Sequence, residues 1–157
     1  LLKYETDPFS RWEAGQELFL KEFLNTYEAL KTNQPIEISQ DLTDSLREIS
    51  IGWEKDLSLS ILLLSLPDSP ICLQKMGQAD PLLIEKSLSQ LSLSIGQALE
   101  SEFLSIYACL AQKALGFSPQ DQALRALKNK SLLWLSHSPQ FDSERAVAQY
   151  KNAENMT

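Results

Sequence analysis

The feature that most constrains this chain is a hydrophobic pattern with steps of three and four. It runs from Ile84 through Leu88, Leu91, Ile95, Leu99, Phe103, Ile106, Leu110 and Ala114. Residues spaced in that way fall on one face of an α-helix, so the pattern predicts a single helix of about 30 residues, ~45 Å long. Gly96 lies inside it, where glycine is less favourable than alanine by about 1 kcal/mol if exposed, and it marks either close packing or a bend. Gly116 then supplies a stop.

The same periodicity recurs elsewhere. Phe9, Trp12, Phe19, Phe23, Tyr27 and Leu30 form one stripe that "TNQP" ends, and Leu42, Leu46, Ile49 and Trp53 form a shorter one. The stretch "DLSLSILLLSLP" alternates like a strand at first and is then apolar on every face. No other segment offers a pairing strand, so it is assigned as a buried helix. Two further helices are expected, from about Pro119 to Ser136 and from about Pro139 to Asn152.

Four helix starts share one grammar: Asp7-Pro8, Asp80-Pro81, Ser118-Pro119 and Ser138-Pro139. The side chain before each proline can accept a hydrogen bond from an orphan N–H, and proline at the first helical position forfeits none. At the first of these, Ser10 and Glu13 offer an alternative start as an S-x-x-E capping box. The expected class is all-α: antiparallel helix hairpins in a HEAT- or armadillo-like superhelical stack, with residues 1–157 as a single helical segment.

Composition narrows function mainly by exclusion. A formal charge of −7 leaves no basic field for a phosphate backbone, so nucleic acid is not an expected partner. The longest apolar run is "ILLL", far short of a membrane span, and no signal peptide opens the chain; a cytoplasmic location without membrane contact is expected. The chain opens without methionine and stops just after a helical pattern, which is the expectation for a piece of something larger. Cys72 and Cys109 lie far apart among apolar residues and are expected to be buried free thiols.

No constellation for catalysis emerges. A peptidase zinc site needs two imidazoles, and the chain has one histidine, His137, expected to be solvated or capping at a helix C-terminus. The serines Ser58, Ser60, Ser65, Ser87, Ser89, Ser92 and Ser94 alternate with leucine and are expected to face solvent or bond to their own helix. No G-x-S-x-G elbow or glycine-rich phosphate loop occurs among the five glycines. Glu100 and Glu102 point to different faces of a helix, and Glu144, Arg145 and Lys151 read as a wet face. "RALKNK", Arg125 to Lys130, either suits the helix dipole or docks an acidic partner. Trp12, Trp53 and Trp134 are expected in the core. Accordingly, no catalytic, cofactor-binding or metal-binding residue is assigned within the chain.

The stretch "DPFSRWEAGQ" resembles the D-x-F-x-R-W-[DE]-A-x-Q segment that opens the helical C-terminal domain of the bacterial aminopeptidase N family, alanyl aminopeptidases among the gluzincin zinc peptidases. Asp7, Phe9, Arg11, Trp12, Glu13, Ala14 and Gln16 carry the match. "LESEFLSIY" from Leu99, "RALKNKSLLWL" from Arg125 and the final "NAENMT" are similar to later runs of that domain, in the same order. The departures are small: Gly15 stands where another small residue is usual, and Asn129-Lys130-Ser131 replaces an Asn-x-Cys form.

The resemblance implies a parent that removes N-terminal residues from peptides through a zinc-activated water. Its H-E-x-x-H and G-x-M-E-N motifs are absent from this chain, and "AENM" only echoes the second. The resemblance therefore implies a non-catalytic part of the C-terminal domain, with no cofactor of its own. Such a part would wall the peptide cavity and pack on the catalytic domain. A free-standing helical-repeat scaffold that binds a protein partner is the alternative. A stand-alone hydrolase using Cys109 or a serine comes last.

Overall fold

The computed structural model describes residues 7–77, 79–139 and 141–153. These form α1 (Pro8–Lys31), α2 (Gln40–Ile51), α3 (Leu57–Leu63), α4 (Ser69–Met76), α5 (Pro81–Ala98), α6 (Glu100–Ala111), α7 (Pro119–Ser136) and α8 (Ser143–Lys151). No described residue lies in a strand, and the class is all-α.

Consecutive helices pair as α2 with α3, α4 with α5 and α6 with α7, the last being the most extensive packing in the chain. The odd-numbered helices also pack on one another, α1 on α3 and α5, and α7 on both of these. This is helical-repeat stacking: an inner set of helices, each of three flanked by an outer partner. The core threads through it, with Phe19, Phe23, Leu42, Leu46, Ile84, Leu91 and Phe103 among its buried side chains.

The caps follow local chemistry. The Ser10 amide donates to Asp7 Oδ2 at 2.8 Å, so Asp7, not Ser10, starts α1. Asp80 and Ser118 cap α5 and α7 in the same way. The expected start at Ser138-Pro139 is not used. There the Ser138 amide donates to the Leu135 carbonyl, turning the chain out of α7, and α8 begins only after Asp142, whose Oδ1 accepts from Glu144. A short helix that the periodicity did not reveal, α4, follows Asp68.

The expected 30-residue helix is two helices. Leu99 leaves helical geometry at φ −124° and ψ 22°, which frees carbonyls at the joint. Arg47 of α2 takes the Ala98 carbonyl at 3.3 Å and holds Glu102 of α6 at 2.7 Å, fastening the break from outside. Gly96 serves close packing: a Cβ there would lie 2.7 Å from the Trp134 carbonyl oxygen. Gly116 is not the stop, since α6 ends at Ala111; its carbonyl instead accepts from Arg125.

Candidate functional site

The opening segment separates into three faces once α1 is formed. Phe9 and Trp12 are not core anchors: they are 65% and 36% exposed and lean on each other at 5.9 Å, on a different face of α1 from the Arg11 side chain that α2 and α3 surround. Gly15 and Phe19 are the first buried residues of the helix. Gln16 turns toward α3 and donates to the Ser65 carbonyl at 3.2 Å. Glu13 is exposed. Asp7 is held below its ordinary carboxyl range chiefly by the backbone hydrogen bond from Ser10.

Arg11 occupies the third face, at a cleft of about 260 Å³ between α1, α2 and α3. Ser45, Gly52, Lys55 and Ser60 share the wall, with Leu59 and Leu63 beneath. Arg11 Nε is buried without a hydrogen-bond partner. A buried donor left unmet costs about 1–3 kcal/mol, and more when charged, so this nitrogen is the least satisfied polar feature of α1. The helix pair that surrounds Arg11 comes from more than thirty residues downstream, and no local signal announces it.

The other singled-out residues fall into structural roles. His137 is the C-cap of α7, and its ring meets the edge of Trp134 at 6.2 Å; burial holds its pKa below the ordinary value. Cys72 is buried, and burial pushes its thiol up to about 11. Cys109 is exposed, which corrects the expectation of two buried thiols: the buried residues of α6 are Phe103, Ile106 and Leu110.

Ser65, Ser87 and Ser92 each donate to the carbonyl four residues earlier, while Ser58 and Ser89 are exposed. Burial opposes the charged form of Glu102, but hydrogen bonds from Ser101 and Arg47 outweigh it and lower its pKa. In "RALKNK", Arg125 is buried against the Gly116 carbonyl, and desolvation lowers Lys130. Trp53, just past α2, is buried beneath the Lys113 ammonium at 5.4 Å, and Trp134 stacks on Phe103 at 5.6 Å. Glu144, Arg145 and Lys151 are exposed on α8. Glu22 was not singled out by the sequence; it is a buried carboxylate whose Oε2 accepts from the Ser39 amide.

The donor set does not suit the zinc that the resemblance implies for the parent. The chain's sole histidine lies against Trp134, and among the described residues no group of three His, Cys, Asp or Glu side chains converges. Nor is any helix among them long and apolar enough to cross a membrane. The final "NAENMT" lies outside the described residues from Glu154 onward.

Comparison with known proteins places this architecture. Aminopeptidase N of Haemophilus influenzae is 29% identical over 157 residues, the whole of this chain and 18% of that protein. Aminopeptidase N of Escherichia coli K12 is 25% identical over 158 residues, again the whole chain and 18% of the relative. The chain thus spans less than a fifth of the length of these relatives. A family model described as "Domain of unknown function (DUF3458_C) ARM repeats" matches residues 1–157, and the chain belongs to this family of ARM-repeat domains.

Proposed function

We propose that this chain is a non-catalytic part of the C-terminal helical domain of a zinc-dependent aminopeptidase that acts in the cytoplasm. It walls the cavity through which peptides reach the active site and packs on the catalytic domain of the same parent chain. The observation that carries this reading is the whole-length match to two aminopeptidases N, of which it covers 18% each. A free-standing scaffold does not account for that match. The zinc, its ligands and the groups that grip the substrate amine belong to the parent outside these residues, and no chemical step is assigned to a side chain here.

The test is to assay this chain and the longer protein that contains it on an alanyl anilide, with metal analysis of both. The longer protein should release product in a chelator-sensitive way, and this chain alone should bind no stoichiometric zinc and turn nothing over. Zinc near one per chain with activity in this chain alone would defeat the reading. A start codon immediately before Leu1 would do the same.

A further inference from the structure

We infer that the groove between α7 and α8 is the seat of a further inner helix of the stack, which the longer protein supplies from the segment just after α8. The inference rests on the reading that this chain is part of a longer helical domain, and not on the chemistry of the parent.

The groove has about 430 Å³ of space, room for several apolar side chains but not for a whole helix. Asn129, Leu132, Leu133 and Ser136 line it from α7, at spacings i, i+3, i+4 and i+7 that make one stripe along that helix. Ala146, Gln149 and Tyr150 form the matching stripe on α8, and Phe141 lies at the turn between the two helices. Gln149 Nε2 donates to Asn129 Oδ1 at 2.7 Å and holds the walls together. Two helix faces set side by side in this way make a channel for the ridge of a third. It is uncovered: Leu133 is 53% exposed and Tyr150 84%, and α8 buries none of its own residues.

The rest of the stack says what belongs there. Each later inner helix lies on an earlier inner helix and on the outer helix just before it: α3 on α1 and α2, α5 on α1 and α4, α7 on α5 and α6. The outer row continues with α8. Its Arg145 is near enough to Tyr107 of α6 to oppose the rise that burial gives the phenol pKa, so α8 lies beside α6, as α2 does. The next inner helix in that order packs on α7 and α8, and the groove is the surface those two present together. A repeat that closes an array carries a polar outer face, whereas this one carries Leu133 and Tyr150. The occupant is therefore an amphipathic helix with its apolar stripe turned into the groove, and α8 becomes buried only when that helix is in place.

The test is photo-crosslinking of the longer protein with a benzophenone amino acid in place of Tyr150 or, separately, of Leu133, with the adducts mapped by mass spectrometry. Each position should join, within one molecule, to a segment lying within about 45 residues after Lys151, the span of one repeat. Hydrogen exchange gives a second reading that needs no crosslinker. The α8 amides should exchange at least about tenfold more slowly in the longer protein than in this chain, and Leu133→Asp should abolish the difference.

Adducts to residues before Leu1 would mean that the preceding part of the parent covers the groove, and adducts between molecules that a second copy does. Either result overturns the inference, as does the lack of any adduct at both positions or equal exchange of α8 with and without the rest of the parent. The aminopeptidase reading is judged separately, by chelator-sensitive release of product from the longer protein. A covered groove in an inactive protein, or an active protein whose groove stays open, would part the two.

Discussion

The indole Nε1 of Trp134 donates to the carbonyl of Leu64 at 3.0 Å, joining residues 70 apart in the chain. Leu64 is the C-cap of α3, so this bond satisfies one of the carbonyls left over where that short helix ends. The same indole stacks on Phe103 of α6 with 6° between the rings. One side chain therefore ties α7 to both the inner and the outer helices. Trp134→Phe keeps an aromatic ring for Phe103 but leaves the Leu64 carbonyl unmet, and should destabilise by about 1–3 kcal/mol. Trp134→Ala removes the stack as well and should lose about 3–5 kcal/mol. Urea midpoints of the two variants measure the difference; an unchanged midpoint in Trp134→Phe would show that the hydrogen bond contributes nothing, and equal losses that the stack adds nothing to it.

Gly96 is the counterpart of that residue on α5. A Cβ added there would sit 2.7 Å from the Trp134 carbonyl oxygen and 3.0 Å from the His137 Cβ, and a backbone oxygen cannot swing aside. Helix propensity favours alanine by up to about 1 kcal/mol, while overpacking costs about 1–3 kcal/mol. Packing wins, so Gly96→Ala should lower the thermal midpoint. A raised midpoint would mean that α5 and α7 can part without penalty.

Acid should weaken the fold in two steps. His137 has its folded pKa lowered by burial from the ordinary 6.5, so the neutral ring is the form the fold prefers. Stability from this source is complete above about 6.5 and declines as pH falls from there toward the folded value. Glu102 has its folded pKa lowered from 4.5 despite burial, through Ser101 and Arg47. Its contribution is complete above about 4.5 and is lost as pH falls through the folded value. In urea unfolding measured against pH, His137→Asn should remove the upper step and Glu102→Gln the lower. A profile that stays flat from neutrality down to the carboxylate range in the unsubstituted protein would contradict the His137 assignment.

What the sequence makes legible here is what neighbours within one helix decide. Asp7, Asp80 and Ser118 cap the helices they were expected to cap, and the buried stripe of α1 from Phe19 to Tyr27 follows its period. The break at Leu99 escapes this reasoning because Ile95, Leu99 and Phe103 are all fully buried, so the apolar spacing runs straight through it. Its fastening comes from Arg47, about fifty residues upstream. Phe9 and Trp12 continue the stripe in sequence, yet both are exposed, and period alone does not say which part of a stripe finds a neighbouring helix to cover it. The Arg11 cleft is hidden for the same reason. Its walls come from α2 and α3, and a charged residue next to an exposed tryptophan reads as surface until those helices are in place.

The two thiols should respond to reagents as differently as their surroundings differ. Cys72 is sealed on α4 with a pKa near about 11, so at mildly alkaline pH it is both protonated and out of reach. Cys109 faces outward on α6. A thiol reagent should therefore modify Cys109 rapidly in the native chain, and Cys72 only through opening of the fold. Cys109→Ser should abolish the fast phase and leave the slow one, whose rate should rise with urea. The decisive comparison is with Trp134→Phe. If access to Cys72 requires the helices around α7 to separate, that substitution should accelerate the slow phase while leaving Cys109 unchanged. An unaltered slow phase would mean that α4 opens on its own, independently of the stack behind it.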